Sequence, residues 1–143
     1  MYKDTIPVKI VVRDFTFEAS HRLVFSTKGD DAKRWHGHTY QLEVEVEGVP
    51  NQEDGAVIST YDLTDLVNEI IINQVNFSNL NNVMPRQFSL AKNTTNENII
   101  IAFWYALDHE ISDRFEGVKL TRVRLYEGAN YAELKREMIY NEN

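Results

Sequence analysis

Hydrophobic and polar positions alternate along the first third of the chain. Ile6, Val8, Ile10 and Val12 share one parity, then Phe15, Phe17, Ala19 and His21 share the other. Period-two alternation predicts a strand with one buried face, and the change of parity predicts a bend or bulge near Arg13-Asp14. The stretch HTYQLEVEVEG alternates more plainly. His36, His38, Tyr40, Leu42, Val44 and Val46 fall on one face, and Gln41, Glu43, Glu45 and Glu47 on the other. One apolar face and one charged face predict an antiparallel sheet covered on one side, its glutamates forming a solvated surface.

The period then changes. Leu63, Leu66, Val67, Ile70 and Ile71 recur at helical spacing after Asp62, an N-cap or first-turn acid. A second helix is predicted from NTTNENII, where Thr94 and Glu97 have capping-box spacing. Its apolar stripe is Ile100, Phe103, Trp104, Leu107 and Ile111, with His109 off the stripe at the surface. The intervening NFSNLNNVMPRQFSLAKN is polar and broken by Pro85, so it reads as a long loop. VKLTRVRLYEG and YAELKREMIY read as two more strands joined at Gly128-Ala129-Asn130, and the tail NEN as a frayed end. Strand, strand, helix, helix, strand, strand predicts an α+β domain: a four-stranded antiparallel sheet with two helices packed on one face.

Residues 1–143 carry no linker or repeat, and a chain of that length with 43% hydrophobic residues is expected to form a single domain. The net charge of −7 argues against nucleic-acid binding and against attraction to anionic membranes, although Lys28, Lys33 and Arg34 cluster locally. No cysteine is present, which excludes disulfides, thiolate ligands and a cysteine nucleophile. The N-terminal stretch lacks the apolar core of a signal peptide and no apolar run reaches membrane-spanning length, so the expected location is cytoplasmic.

The candidate chemistry lies in WHGHTY. Side chains two apart on a strand emerge on one face roughly 6–7 Å apart, so His36 and His38 suit two ligands of one ion. His21 ends the preceding strand, where an antiparallel partner brings it alongside. Three imidazoles with an open fourth position match a catalytic zinc site, whereas structural zinc favours four ligands and cysteine. The triplet alone is equally consistent with ordinary polar histidines flanking a glycine. Trp35, next to the pair on the other parity, reads as a packing residue at a subunit contact or as a stacking surface for a ligand.

Taken in order, FTFEASHRL, WHGHTY, YDLTDL, NLN, TNENI and VRLYEGANY resemble the 6-pyruvoyl-tetrahydropterin synthase family, which includes the 6-carboxy-tetrahydropterin synthases. The resemblance runs from about Val8 to Glu137. It implies the tunnelling (T-fold) architecture, a cytoplasmic homohexamer arranged as barrels around a tunnel that the glutamate face would line, and sites between subunits. It implies Zn2+ held by His21, His36 and His38, and a small-molecule pterin substrate anchored by Glu127. A carboxylate accepts two parallel N–H bonds from a 2-aminopyrimidinone edge, a charge-assisted pairing. Thr95 and Glu97 match the family's T-x-E and are implied as substrate-binding residues, although helix capping explains them equally well.

The chain departs from the family at the residues that move protons. The usual cysteine four positions before HGH is Ala32, and a glutamate used by a variant branch is replaced by Lys33. An expected Asp-His pair is Asn76 and Phe77, neither of which performs acid–base work. Asp30 and Asp31, just ahead of HGH, are the candidate replacement bases, or else a solvated loop tip. The expectation is therefore a zinc-dependent lyase acting on dihydroneopterin triphosphate or a related heterocycle, with weak or altered activity. The alternative is a non-catalytic zinc- and pterin-binding paralogue or assembly subunit.

Overall fold

The computed structural model describes residues 5–24 and 30–140; Lys28 and the NEN tail lie outside the described residues. Strand β1 (Val8–His21) pairs antiparallel with β2 (His36–Gly48). Val12 faces Val44 and Phe15 faces Leu42, so β1 carries one extra residue over that span. This bulge accounts for the parity change. It turns Ile10 and Val12, and then Phe15, Phe17 and Ala19, toward the same core.

After β2 the chain enters α1 (Thr60–Val67), with Asp62 in its first turn. The helix widens through a π-helical stretch, Asn68–Ile72, and ends in a last turn, Asn73–Val75. Widening lets the successive residues Ile71 and Ile72 both face inward, with Val67 and Val75 on either side. Then come the two-residue strand β3 (Ser78–Asn79), α2 (Leu80–Phe88), α3 (Asn96–Arg114), β4 (Lys119–Glu127), β5 (Asn130–Lys135) and a single turn, α4 (Arg136–Ile139). The sheet order is β3-β1-β2-β4-β5, antiparallel except for β3 along β1. Gly128, at φ 60°, makes the tight turn between β4 and β5.

The helices cover the face that bears the apolar residues of both parities. Phe17 stacks on Tyr40 with ring centroids 4.8 Å apart, and Phe103 from α3 meets Phe17 edge-on at 6.1 Å. Trp104, Leu107 and Ile111 continue the expected stripe, with Ile99 added at its start. Among the described residues, no helix is long and apolar enough to cross a membrane.

Four expectations need correction. The sheet has five strands, not four, because β3 adds to the β1 edge. The segment read as a loop contains α2. Asn79 caps it by accepting from the Asn81 N–H at 3.0 Å, and Leu80 and Met84 supply a short buried stripe. Pro85 removes one donor from this helix without ending it, and Ser89 closes it in the left-handed conformation at φ 55°. The last strand stops at Lys135, where α4 begins. The cap of α3 lies one residue later than expected: Thr95, not Thr94, accepts from the Asn98 N–H at 3.2 Å.

The glutamates of β2 are not simply solvated. Glu43 and Glu45 are each only 6% exposed. Arg122 Nη2 lies 3.5 Å from both carboxylates, Arg124 Nη1 3.5 Å from Glu43, and Lys9 Nζ 3.7 Å from Glu45. Thr121 donates to Glu45 at 2.9 Å. Arg124 also binds Glu133 at 2.6 Å, which holds the Glu133 carboxyl below its ordinary range. Opposite charges in facing positions on β2, β4 and β5 make the open face an ionic lattice.

Asn76 and Phe77 close the end of the β1 edge. Asn76 Oδ1 accepts from the Glu18 N–H at 3.0 Å, and the Phe77 N–H donates to the Glu18 carbonyl at 2.6 Å. Phe77 does this at φ 57°, in the left-handed region, with its ring 84% exposed. Asn76→Ala is expected to cost about 1 kcal/mol in urea unfolding, whereas Asn76→Asp, which keeps an acceptor, should stay within a few tenths. Equal stability of all three proteins would show that water serves the strand edge as well.

Candidate functional site

The β1–β2 register sets His21 opposite His36 and Ala19 opposite His38. All three imidazoles therefore emerge on the helix-covered face at the end of the sheet. Their ring centroids lie 4.6 Å (His21–His36), 5.2 Å (His21–His38) and 4.9 Å (His36–His38) apart, closer than ideal strand spacing because the rings lean together. One ligand atom from each lies within 4.8 Å of the others. Gly37 separates the pair on β2 at ordinary φ, and an added Cβ would meet only the Ala19 carbonyl at 3.5 Å, so packing does not require glycine there.

The partners of the rings fix their tautomers. His21 Nδ1 lies 2.8 Å from the Thr94 carbonyl and 3.1 Å from Thr94 Oγ1. A carbonyl only accepts, so Nδ1 carries the hydrogen and Nε2 keeps its lone pair. His36 does the same, with Nδ1 donating to the Arg34 carbonyl at 2.7 Å. Burial, and then the neighbouring imidazoles against the Thr94 bond, keeps the His21 pKa below 6.5, so the ring stays neutral as a metal requires. The Thr94 hydroxyl donates onward to Asn81 Oδ1 at 3.3 Å, and Asn81 brackets the Arg22 backbone with bonds of 3.0 and 2.9 Å. The donor set and its supporting bonds suit zinc.

Glu127, at the end of β4 opposite Tyr40, lines the same cavity of about 280 Å³ as the three histidines. His38 Nε2 donates to its Oε1 at 2.7 Å and Asn96 Nδ2 to its Oε2 at 3.0 Å. A neutral His38 in this bond keeps its lone pair on Nδ1. Leu23, Thr95, Asn96 and Glu97 complete the lining. Beneath the rings the Tyr40 hydroxyl is buried without a partner, and burial, then the Glu127 charge, raises its pKa and keeps it protonated.

The structure thus brings together His21, His36, His38, Glu127, Thr95 and Glu97. It does not bring Asp30 or Asp31 with them. Both are exposed, and their carbonyls form a 3-10 turn, accepting from Lys33 N at 3.1 Å and Arg34 N at 3.2 Å. The Ala32 carbonyl accepts from Leu23 N at 2.7 Å. Trp35 is exposed, with the Arg22 guanidinium 5.0 Å from its ring centre. Sequence reasoning missed Thr94, Asn81 and Asn96. Their clustering in asparagine- and threonine-rich segments was the available signal.

The comparisons with known proteins bear on this geometry. The family model for 6-pyruvoyl tetrahydropterin synthase matches residues 10–137. The chain belongs to this family. It is 31% identical over 130 residues to the 6-pyruvoyl tetrahydrobiopterin synthase of Pongo abelii, covering 84% of this chain and 86% of that protein. It is 32% identical over 117 residues to the dihydroneopterin monophosphate aldolase of Pyrococcus furiosus, covering 81% and 87%. The fold is that of the Caenorhabditis elegans 6-pyruvoyl tetrahydropterin synthase, at a TM-score of 0.72, 21% identity and coverage of 94% and 99%.

Because Thr94 orients His21, Thr94→Val should weaken zinc binding about tenfold, the low end for an outer-shell partner because the carbonyl bond survives. Competition with a chromophoric chelator measures this. An unchanged affinity would assign the hydroxyl to folding alone.

Proposed function

We propose that this protein is a zinc-dependent pterin-processing lyase whose reaction differs from that of the ordinary synthase. One observation carries the reading: three clustered imidazoles and a carboxylate line one cavity. His21, His36 and His38 would hold the ion. Zinc, when bound, supplies Lewis acidity that lowers the pKa of a substrate hydroxyl. Glu127 orients the heterocycle by accepting from its amidine edge, and Thr95 with the first turn of α3 closes the cavity around it.

The proton-moving positions account for the difference. Asn76 and Phe77 occupy the expected Asp-His positions and are engaged by the β1 edge. Asp30 and Asp31 do not line the cavity, which leaves Glu97 as its carboxylate not bonded to a histidine. Glu97 therefore replaces them here as the proposed proton acceptor. The similarity to an aldolase named for dihydroneopterin monophosphate favours a pterin whose side chain is cleaved rather than only rearranged.

Open strand edges support the proposed homohexamer. Among the described residues, β1 is unpaired along its outer side before Glu18, and β5 ends the sheet. Head-to-tail pairing of such edges closes a ring and removes both. Light scattering at the mass of six chains is the expected result.

A second reading, a binding-only paralogue, rests on the structural use of Asn76 and Phe77. Turnover distinguishes the two. With dihydroneopterin triphosphate, the zinc-loaded protein should form the synthase product about 10²–10⁴-fold more slowly than relatives with an intact acid–base set. With dihydroneopterin monophosphate it should release a two-carbon aldehyde. His21→Ala should abolish both the metal and this release. Tight pterin binding without any product would establish the binding-only reading; neither binding nor product would overturn both.

A further inference from the structure

Phe77 is strained and exposed at once. It sits at φ 57°, a left-handed conformation that glycine and asparagine adopt far more readily than a bulky residue. Its backbone has a task there. The Phe77 N–H donates to the Glu18 carbonyl at 2.6 Å, while Asn76 Oδ1 accepts from the Glu18 N–H at 3.0 Å. That task needs no ring, and the ring is 84% exposed. A single exposed apolar side chain is ordinary, but one held in a conformation that disfavours it is not.

The place of Phe77 in the sheet determines what it can meet. β3 covers the β1 edge at Ala19 and Ser20, and Asn76 and Phe77 cover it at Glu18. Before Glu18 the outer side of β1 is unpaired among the described residues, so a strand added there must stop at Phe77. The far edge of the same sheet offers such a strand. The pairs β1–β2, β2–β4 and β4–β5 are all antiparallel, so β5 runs opposite to β1. A second copy related by rotation about an axis along the strands keeps these directions and lays its β5 antiparallel on β1. Its β5 then begins at the Phe77 end, led by the exposed turn at residues 128–130.

We propose that Phe77 is the docking anchor for a second copy of this chain. Its ring packs on the β4–β5 turn and the start of β5 of that copy, where the strand extends the sheet at the β1 edge. This rests on the head-to-tail assembly proposed above. Gly128 and Ala129 are the smallest side chains a turn can carry, so the turn leaves room for a ring to lie on its backbone. The contact buries an aromatic surface that the isolated chain leaves in water, and large aromatic side chains dominate interface energetics. Backbone pairing along β1 is sequence-tolerant; the ring fixes where the added strand ends.

Light scattering of the full chain over a dilution series tests the anchor. Phe77→Gly and Phe77→Asn should raise the concentration at half-dissociation about tenfold or more, whereas Phe77→Tyr, which keeps the ring, should stay close to the wild type. Urea unfolding at a concentration where every protein is monomeric separates docking from folding. There Phe77→Gly and Phe77→Asn should unfold at no lower urea than the wild type, because both residues accept the left-handed conformation. A photoreactive phenylalanine analogue at position 77 should cross-link to residues 128–133 of another chain. If the glycine and asparagine variants assemble like the wild type, or lose assembly and urea resistance together, Phe77 is no anchor and edge pairing stands without it. Cross-links confined to one chain, or to any other segment of a second one, overturn the docking site as well. A wild type that is monomeric throughout the series means that the assembly itself has failed, and the anchor with it.

Discussion

The register between β1 and β2 is the constraint on which the rest depends. Side chains alternate strictly along a strand, so one residue more or less moves a whole set to the opposite face. The bulge between Val12 and Phe15 inserts that one residue. Before it, even-numbered residues of β1 face the helices; after it, odd-numbered ones do. Without the bulge, a strand in phase with Val8 and Val12 would carry His21 onto the ionic face, away from His36 and His38. The meeting of the three histidines therefore depends on a backbone irregularity six residues before His21, as much as on the histidines themselves.

The two faces of the sheet solve different electrostatic problems. On the covered face, Phe17, Tyr40 and Leu42 exclude water up to the base of the imidazoles, and burial lowers the His21 pKa. On the open face, carboxylates nearly as buried as the core survive because guanidinium groups on β4 meet them. Buried charge is costly unless it is paired, and pairing across strands also fixes which strands lie side by side. The overall charge of −7 conceals this arrangement, since Glu43, Glu45 and Glu133 are matched locally by Arg122 and Arg124.

Where periodicity was long, it was sufficient. β2 alternates for a dozen residues, and the pairing of β1 with β2, the bulge and the shared face of the three histidines could all be read from parity. The short elements escaped. The α2 stripe amounts to Leu80 and Met84, and Pro85 argued against a helix that it interrupts by only one hydrogen bond. The support around the histidines escaped for another reason. Thr94 reaches His21 across 73 positions in the chain and Asn96 reaches Glu127 across 31, and no local pattern encodes such a meeting. Family resemblance supplied Glu127 where spacing alone favoured an ordinary strand-end acid.

His38 belongs to two constellations at once. One face of its reach is the trio of imidazoles, and its Nε2 ends on the carboxylate proposed to hold the heterocycle. A ring shared in this way makes the two occupancies interdependent: drawing electron density from the imidazole strengthens the hydrogen it offers to Glu127, and loading Glu127 alters the imidazole as a donor. Thermodynamic reciprocity requires the two effects to be equal in free energy. Under the proposed function, His38 links the two occupancies, and each would change the affinity for the other by the same factor.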